Sequence, residues 1–420
     1  MENTTTYTSS NSLSWFDKLY RKLVFAALNS LESGEITLIE GNEKHQFGDI
    51  GSELSVEITV VDPQMYKLFA LGGSVGAGES FILGHWRCSD LTGLIEIFVL
   101  NQAQLDAFEN KFAILSGIAN KLKHINNRNS KQGSKRNIAA HYDLGNDLYE
   151  SFLSEEMLYS SAIYPSKDAS LEQAQFTKLE AICQRLDLKA QDQVVEIGTG
   201  WGAFAIHAAK HYGCHVTTTT ISEEQHAHVA ELIKRESLQD KITLLKEDYR
   251  DLTGQYDKLV SIEMIEAVGH DYLPGFFTKC SELLKPDGAM LIQAITIACQ
   301  RYSHYLKQSD FIQQYIFPGG CLPSVSEITQ QILRSTDMVV HELHDIGLHY
   351  ARTLYDWRVR FEQAWPSLDS KRFDEQFYRL WQFYLCYCEG AFKRRAISAV
   401  HLVARKPRYQ SRDCIKTLDY

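Results

Sequence analysis

The stretch Val194-Val195-Glu196-Ile197-Gly198-Thr199-Gly200-Trp201-Gly202-Ala203-Phe204 constrains this chain more than any other. A β-branched run enters three alternating glycines and leaves as an apolar helical segment. Glycines at that spacing permit a tight turn and let backbone N–H groups approach a ligand, with a helix N-terminus directly behind. The spacing is not the dinucleotide G-x-G-x-x-G, whose third glycine falls one residue later.

Strand and helix patterns alternate around this loop. Helix 170–186 leads to strand 193–197 and helix 202–211, then strand 214–220, helix 222–236, strand 241–246 and strand 257–262. Helix 274–284 ends at Lys285-Pro286-Asp287-Gly288, and strand 289–295 comes next. Strands and helices of this length in alternation imply an α/β domain, a doubly wound and mostly parallel sheet with helices on both faces. Ligands in such sheets sit beyond the carboxyl ends of the strands, where the glycine loop falls.

The 420 residues suffice for two or more domains. Residues 1–120 read as a smaller α+β unit, with helical periodicity over Leu13–Leu31, β-rich runs at Ile36–Ile39 and Leu54–Val61, and helices over Met65–Leu71 and Leu91–Phe108. Gly72-Gly73-Ser74-Val75-Gly76-Ala77-Gly78-Glu79 reads as a flexible turn; it lacks the Gly-Lys-Ser/Thr ending of a phosphate loop. Residues 121–136 carry six basic side chains and no acid, a solvated linker that also suits anionic headgroups. The α/β domain then occupies 137–420.

A net charge of −10 argues against a general nucleic-acid binder. Nine scattered cysteines without C-x-x-C spacing point to a reducing compartment. No signal peptide and no bilayer-length apolar run are evident, so the expected location is cytoplasmic, touching the inner membrane face from its surface. His207, His211 and His215 form an H-x3-H-x3-H pattern, but Gly213 interrupts the helix, so they read as solvated or core histidines and no metal is expected. Phe373, Phe377, Trp381, Tyr384 and Cys388 form a helical stripe that reads as a core helix.

Glu196-x-Gly198-x-Gly200-x-Gly202 resembles the first motif of class I S-adenosylmethionine methyltransferases, where the loop, with Thr199, holds the amino-acid end of that co-substrate. Further stretches resemble the cyclopropane-fatty-acyl-phospholipid synthase family: His141–Asp147, Met157–Ala162, Glu263–Gly269, Tyr315–Ser324 and Gly347–Leu354. The resemblance implies methyl transfer from S-adenosylmethionine to a cis double bond of an unsaturated phospholipid acyl chain at a membrane surface. Tyr159 and Ser160 then lie against the methionine end, Thr220, Ile221 and Gln225 near the ribose, and Asp248 and Tyr249 near the adenine. Tyr142 falls near the reacting centre. By analogy the N-terminal domain presents lipid and supports a homodimer.

Attack by an alkene leaves a carbocation, and a base must remove a proton. The resemblance assigns that role to a bound bicarbonate held by a cysteine, a glutamate, a histidine, a backbone group and a tyrosine. The glutamate is Glu266, the backbone group Ile295 and the tyrosine Tyr350. Two positions depart: Ser161 stands where the family has cysteine, and Gln293 where it has histidine. Both donate hydrogen bonds but neither supplies a positive charge. A weakened bicarbonate site is the expectation, with Glu266 nearer to serving as base and a methyl-branched or diene product competing with a ring. A non-catalytic lipid-binding relative and a methyltransferase for soluble or carrier-bound acyl groups are the alternatives.

Overall fold

The computed structural model describes residues 14–112 and 145–410; the basic segment and Tyr142 lie outside the described residues. The chain forms two compact units. One combines the N-terminal residues with His304–Pro318 and Ala351–Ile397; the other holds the glycine loop, Gly319–Tyr350 and the residues from Ser398 on. Two later segments thus cluster with the N-terminal residues.

In the first unit, Ser14 and Asp17 cap the helix Trp15–Leu28 reciprocally. Strand β1 (Glu35–Glu40) pairs antiparallel with β2 (Glu43–Gly48) and parallel with β3 (Ser55–Val60), and β4 (Trp86–Cys88) completes the order β2-β1-β3-β4. Val56 and Ile58 of β3 are buried while their neighbours face out, the two-residue period of a half-buried strand.

The expected flexible turn at 72–79 is instead the second half of a helix, Gln64–Ile82, broken at Gly73 (φ 52°, ψ −133°). Val75 to Gly78 are buried, and a Cβ on Gly76 would meet the Leu68 carbonyl oxygen at 2.0 Å. Close packing overrides the weak helical propensity of glycine here. From Phe377 on, the aromatic stripe lies on the helix Glu375–Lys393, with Phe373 just before its Asp374 cap; this helix packs on Leu91–Leu100 and Gln64–Ile82 with Trp381, Phe383, Tyr384 and Phe392 buried. A Cβ on Gly390 would come within 2.8 Å of Ile95 Cβ, so the approach of the two helices requires glycine.

The second unit carries β5 (Gln193–Ile197), β6 (His215–Thr219), β7 (Ile242–Leu245), β8 (Tyr256–Ile262), β9 (Leu284–Ile297), β10 (Val339–Asp345) and β11 (Ile397–Arg405). Their order is β7-β6-β5-β8-β9-β11-β10. Pairs β5–β6, β6–β7, β5–β8 and β8–β9 are parallel, and β10–β11 is antiparallel. The doubly wound sheet is as expected. Val194 joins the core on one face with Leu179, Phe204 and Val229, and Val195 joins the other with Phe276, Phe277 and Ile292. Alternation along one strand thus builds two cores. The order reverses at β5, which puts the glycine loop at a topological switch point.

The three histidines diverge. His207 Nε2 bonds Glu180 Oε1 at 2.7 Å, the His211 ring lies tilted against it at 4.6 Å between ring centres, and His215 on β6 bonds Thr243 on β7.

Candidate active site

Gly198, Gly200 and Gly202 all take positive φ (92°, 53° and 93°) as the chain leaves β5 and enters the helix Ala203–His207. A Cβ on Gly200 would meet nothing within 4 Å, so open space faces the middle of the loop. The buried Thr199 hydroxyl has no hydrogen-bond partner among the described residues. An open turn of glycines with an unsatisfied hydroxyl fits the polar end of S-adenosylmethionine.

The residues expected around that ligand occupy the same edge, engaged with one another. Glu196 Oε2 accepts from Thr218 Oγ1 at 2.6 Å, and burial pushes its carboxyl up to about 8. Thr220 donates to Gln225 at 2.8 Å, and Ile221 is half-buried between them. Asp248 caps the turn Tyr249–Asp251 and pairs with Arg250 at 2.6 Å. Tyr249 packs edge-on against Phe276. Tyr159 packs against Tyr149 and Phe152, and Ser160 Oγ accepts from Lys178 Nζ at 2.8 Å.

The side chains expected at a reacting centre are arranged differently from the expectation. Ile295 N–H does meet Glu266, donating to Oε1 at 2.5 Å, and the buried Oε2 of Glu266 has no partner among the described residues. The other expected donors converge on Glu263, which directly succeeds β8 and which sequence reasoning left out. Tyr350 Oη donates to its Oε2 at 2.6 Å; Ser161 N–H and Gln293 Nε2 donate to its Oε1 at 2.9 and 2.7 Å. Ser161 thus contributes its backbone, while its hydroxyl turns to the Ala162 carbonyl.

A chain of hydrogen bonds stands behind Gln293. Its Oε1 lies 2.8 Å from His401 Nε2 on β11, and His401 Nδ1 lies 3.1 Å from Arg185 Nη1. The guanidinium has only donors, so Nδ1 accepts and Nε2–H donates to Gln293, whose amide then donates to Glu263. His401 is fully buried, and burial with nearby Arg185 holds it well below the usual histidine range, hence neutral.

Burial also raises the Glu263 carboxyl, opposed in turn by Tyr350, Ser161, Gln293 and the charge of Lys178. Lys178 is fully buried in the helix Leu171–Arg185; burial lowers it to about 8 against the pull of Glu263, Glu156 and Glu196, so it stays mostly charged at neutral pH. Burial first, then the Glu263 charge, raises Glu266 to about 8. Hydrogen bonds to a charged group contribute about 1.5–3 kcal/mol each. Three of them favour ionised Glu263, whereas Glu266 accepts only from backbone N–H groups. Burial and the charge of one carboxylate both oppose a second negative charge on the pair.

Lys178 could have been noticed, because it sits in the apolar stripe Gln175, Lys178, Leu179, Ile182 of its helix. Glu263 stood inside a motif already singled out, three residues before Glu266, with no local mark of its role. Arg185 and His401 carry no sequence signal at all.

A doubly wound sheet with a glycine loop at its switch point and paired carboxylates beside it defines the class: an S-adenosylmethionine-dependent methyltransferase of class I. The profile described as mycolic acid cyclopropane synthetase matches residues 129–402, and the chain belongs to that family. It is 35% identical over 366 residues to the cyclopropane-fatty-acyl-phospholipid synthase of Escherichia coli (strain K12), covering 84% of this chain and 89% of that one. It is likewise 35% identical over 328 residues to the tuberculostearic acid methyltransferase of Mycobacterium tuberculosis, 76% of each chain. The crystal structure of a mycolic acid cyclopropane synthase complexed with SAH and CTAB superposes with a TM-score of 0.60 at 28% identity, over 65% of this chain and 98% of that one. No helix among the described residues is long and apolar enough to cross a membrane.

Proposed function

We propose that this enzyme methylates a carbon–carbon double bond in an unsaturated phospholipid acyl chain and closes a cyclopropane ring. The observation that carries this reading is the pair of carboxylates, Glu263 and Glu266, both just beyond β8, the strand beside the one that leads into the glycine loop. The likeness to the phospholipid synthase of Escherichia coli over 84% of the chain supports the substrate class.

S-adenosylmethionine, when bound, supplies an electrophilic methyl group and leaves with the C–S electron pair on its sulfur. The turn Gly198–Gly202 would hold its polar end, with the Thr199 hydroxyl and the open middle of the loop at Gly200 facing it. The alkene is a weak nucleophile, so the protein must hold the double bond in line and keep water away. An ionised carboxylate then stabilises the cation left on the acyl chain, and proton removal lets the C–H pair close the ring.

The described helix Trp15–Leu28 exposes Trp15, Phe16 and Leu19 (71%, 61% and 41%), side chains suited to a headgroup boundary, and we assign peripheral membrane contact to it. The N-terminal residues then present lipid, and the enzyme works at the inner membrane face as a homodimer. Mass spectrometry of acyl chains from an expressing host that lacks such enzymes tests the chemistry. A new cyclopropane acid is the expected product. A methyl-branched chain alone removes the ring-closing step, and unchanged lipids with intact SAH binding sink the reading.

A further inference from the structure

We infer that Glu263 is a built-in general base of this enzyme, its own carboxylate occupying the site where the donors Tyr350, Ser161 N–H and Gln293 converge. The inference rests on the methyl-transfer reading and adds the residue that ends the reaction.

The geometry is that of an anion site already filled from within the chain. Three donors from separate parts of the sequence, at 2.6, 2.9 and 2.7 Å, meet one carboxylate. Glu263 also holds φ at 47°, a left-handed backbone conformation that a glutamate adopts at a cost of about 1 kcal/mol or more. Its backbone N–H is tied to the Gln293 carbonyl at 2.7 Å, so the strained turn is fixed to β9. The next residue, Met264, covers the glycine loop: its Cγ would lie 3.2 Å from a Cβ on Gly198. Strain kept at a polar residue beside a ligand loop, with its charge held in place by three donors, is the signature of a working group rather than a packing accident.

Atoms and electrons balance in this step. The alkene π pair forms the new bond to the methyl carbon as the S–C bond breaks and its pair stays on the departing sulfur, leaving a cation on the acyl chain. Glu263 removes a proton from the added methyl carbon, the freed C–H pair forms the third ring bond, and the carboxyl later releases the proton to solvent. Tyr350, Gln293 and, behind it, His401 are positioning residues that hold the carboxylate ionised and aimed. Tyr350, Ser161 N–H, Gln293 and Ile295 N–H, at the positions where the family resemblance expected bicarbonate to be held, thus serve carboxylates of the chain itself.

The test uses the full chain with Glu263→Gln and Glu263→Gly, vesicles of cis-unsaturated phospholipid, and buffers with and without bicarbonate. Wild type is expected to turn over equally in bicarbonate-stripped buffer. E263Q should lose activity by about 100-fold or more while binding SAH as wild type does. E263G, whose glycine accepts φ 47° without strain, should open an anion gap. Formate or bicarbonate should then raise its melting temperature without any co-substrate present, and should restore turnover. If E263Q does not fold, E263G carries the same test. Retention of activity by E263Q, loss of wild-type activity on bicarbonate removal, or no melting shift of E263G with either anion overturns the assignment. A wild type that binds SAH but methylates no lipid instead refutes the proposed function, so the two failures are distinguishable.

Discussion

Tyr350 Oη donates to Glu263 Oε2 across 2.6 Å, joining the first turn of one helix to the end of β8 over 87 residues of chain. This contact sets the direction in which the carboxylate faces and favours its charged form.

Removing it should therefore move the pH dependence. In Tyr350→Phe the donor that lowers the Glu263 pKa is gone, so ionisation needs higher pH. The acid limb of the kcat profile should shift upward, with kcat down roughly tenfold to a hundredfold and KM little changed. An unmoved limb counts against the role of Tyr350.

Glu266 gives a stability prediction of defined sign. Burial and the Glu263 charge raise its carboxyl from 4.5 to about 8, so the folded state favours the protonated form. That contribution is complete below 4.5 and is lost as pH rises through about 8. Glu266→Gln cannot ionise and should be more stable than wild type near pH 9, with no gain near pH 4.5. Denaturant titrations at the two pH values check it; an equal effect at both refutes the assignment of the raised carboxyl.

His401 separates positioning from chemistry. His401→Ala leaves the Gln293 amide oxygen and Arg185 without their buried partner and should cost about 2–3 kcal/mol. His401→Gln, able to accept and donate, should recover most stability and part of the activity. No difference between the two variants would show the chain of hydrogen bonds to be idle.

Gly390→Ala should destabilise the first unit by about 1–3 kcal/mol, because the added methyl meets Ile95 at 2.8 Å and the Thr92 carbonyl at 3.0 Å. Thermal melting of the full chain tests this, with SAH affinity expected to stay unchanged.

Trp15→Ala with Phe16→Ala should weaken binding to phospholipid vesicles about tenfold or more at unchanged melting temperature. Sedimentation with vesicles measures it; undiminished binding removes this helix from the membrane assignment.

Much of the fold was legible in the linear sequence because it rests on local periodicity. Strands β5, β6 and β8 and the helices between them arise from β-branched runs, apolar stripes and Ser222 as a helix cap. The glycine loop announced its own geometry, since only glycine takes φ near 90° without strain. Gly72–Glu79 misled for a related reason: glycines there serve close packing, and packing leaves no local mark.

What the sequence determined by itself was therefore the class of sheet, the ligand loop at its switch point, and the substitution of serine and glutamine in the reacting centre. Which carboxylate those residues serve was decided only by tertiary structure. Tyr350, Ser161 and Gln293 meet Glu263 because strand order sets β9 beside β8 and brings a distant helix and loop to the same edge. A hydrogen bond acts through a few ångströms of space, and residues more than a hundred positions apart acquire that proximity only when the sheet is assembled.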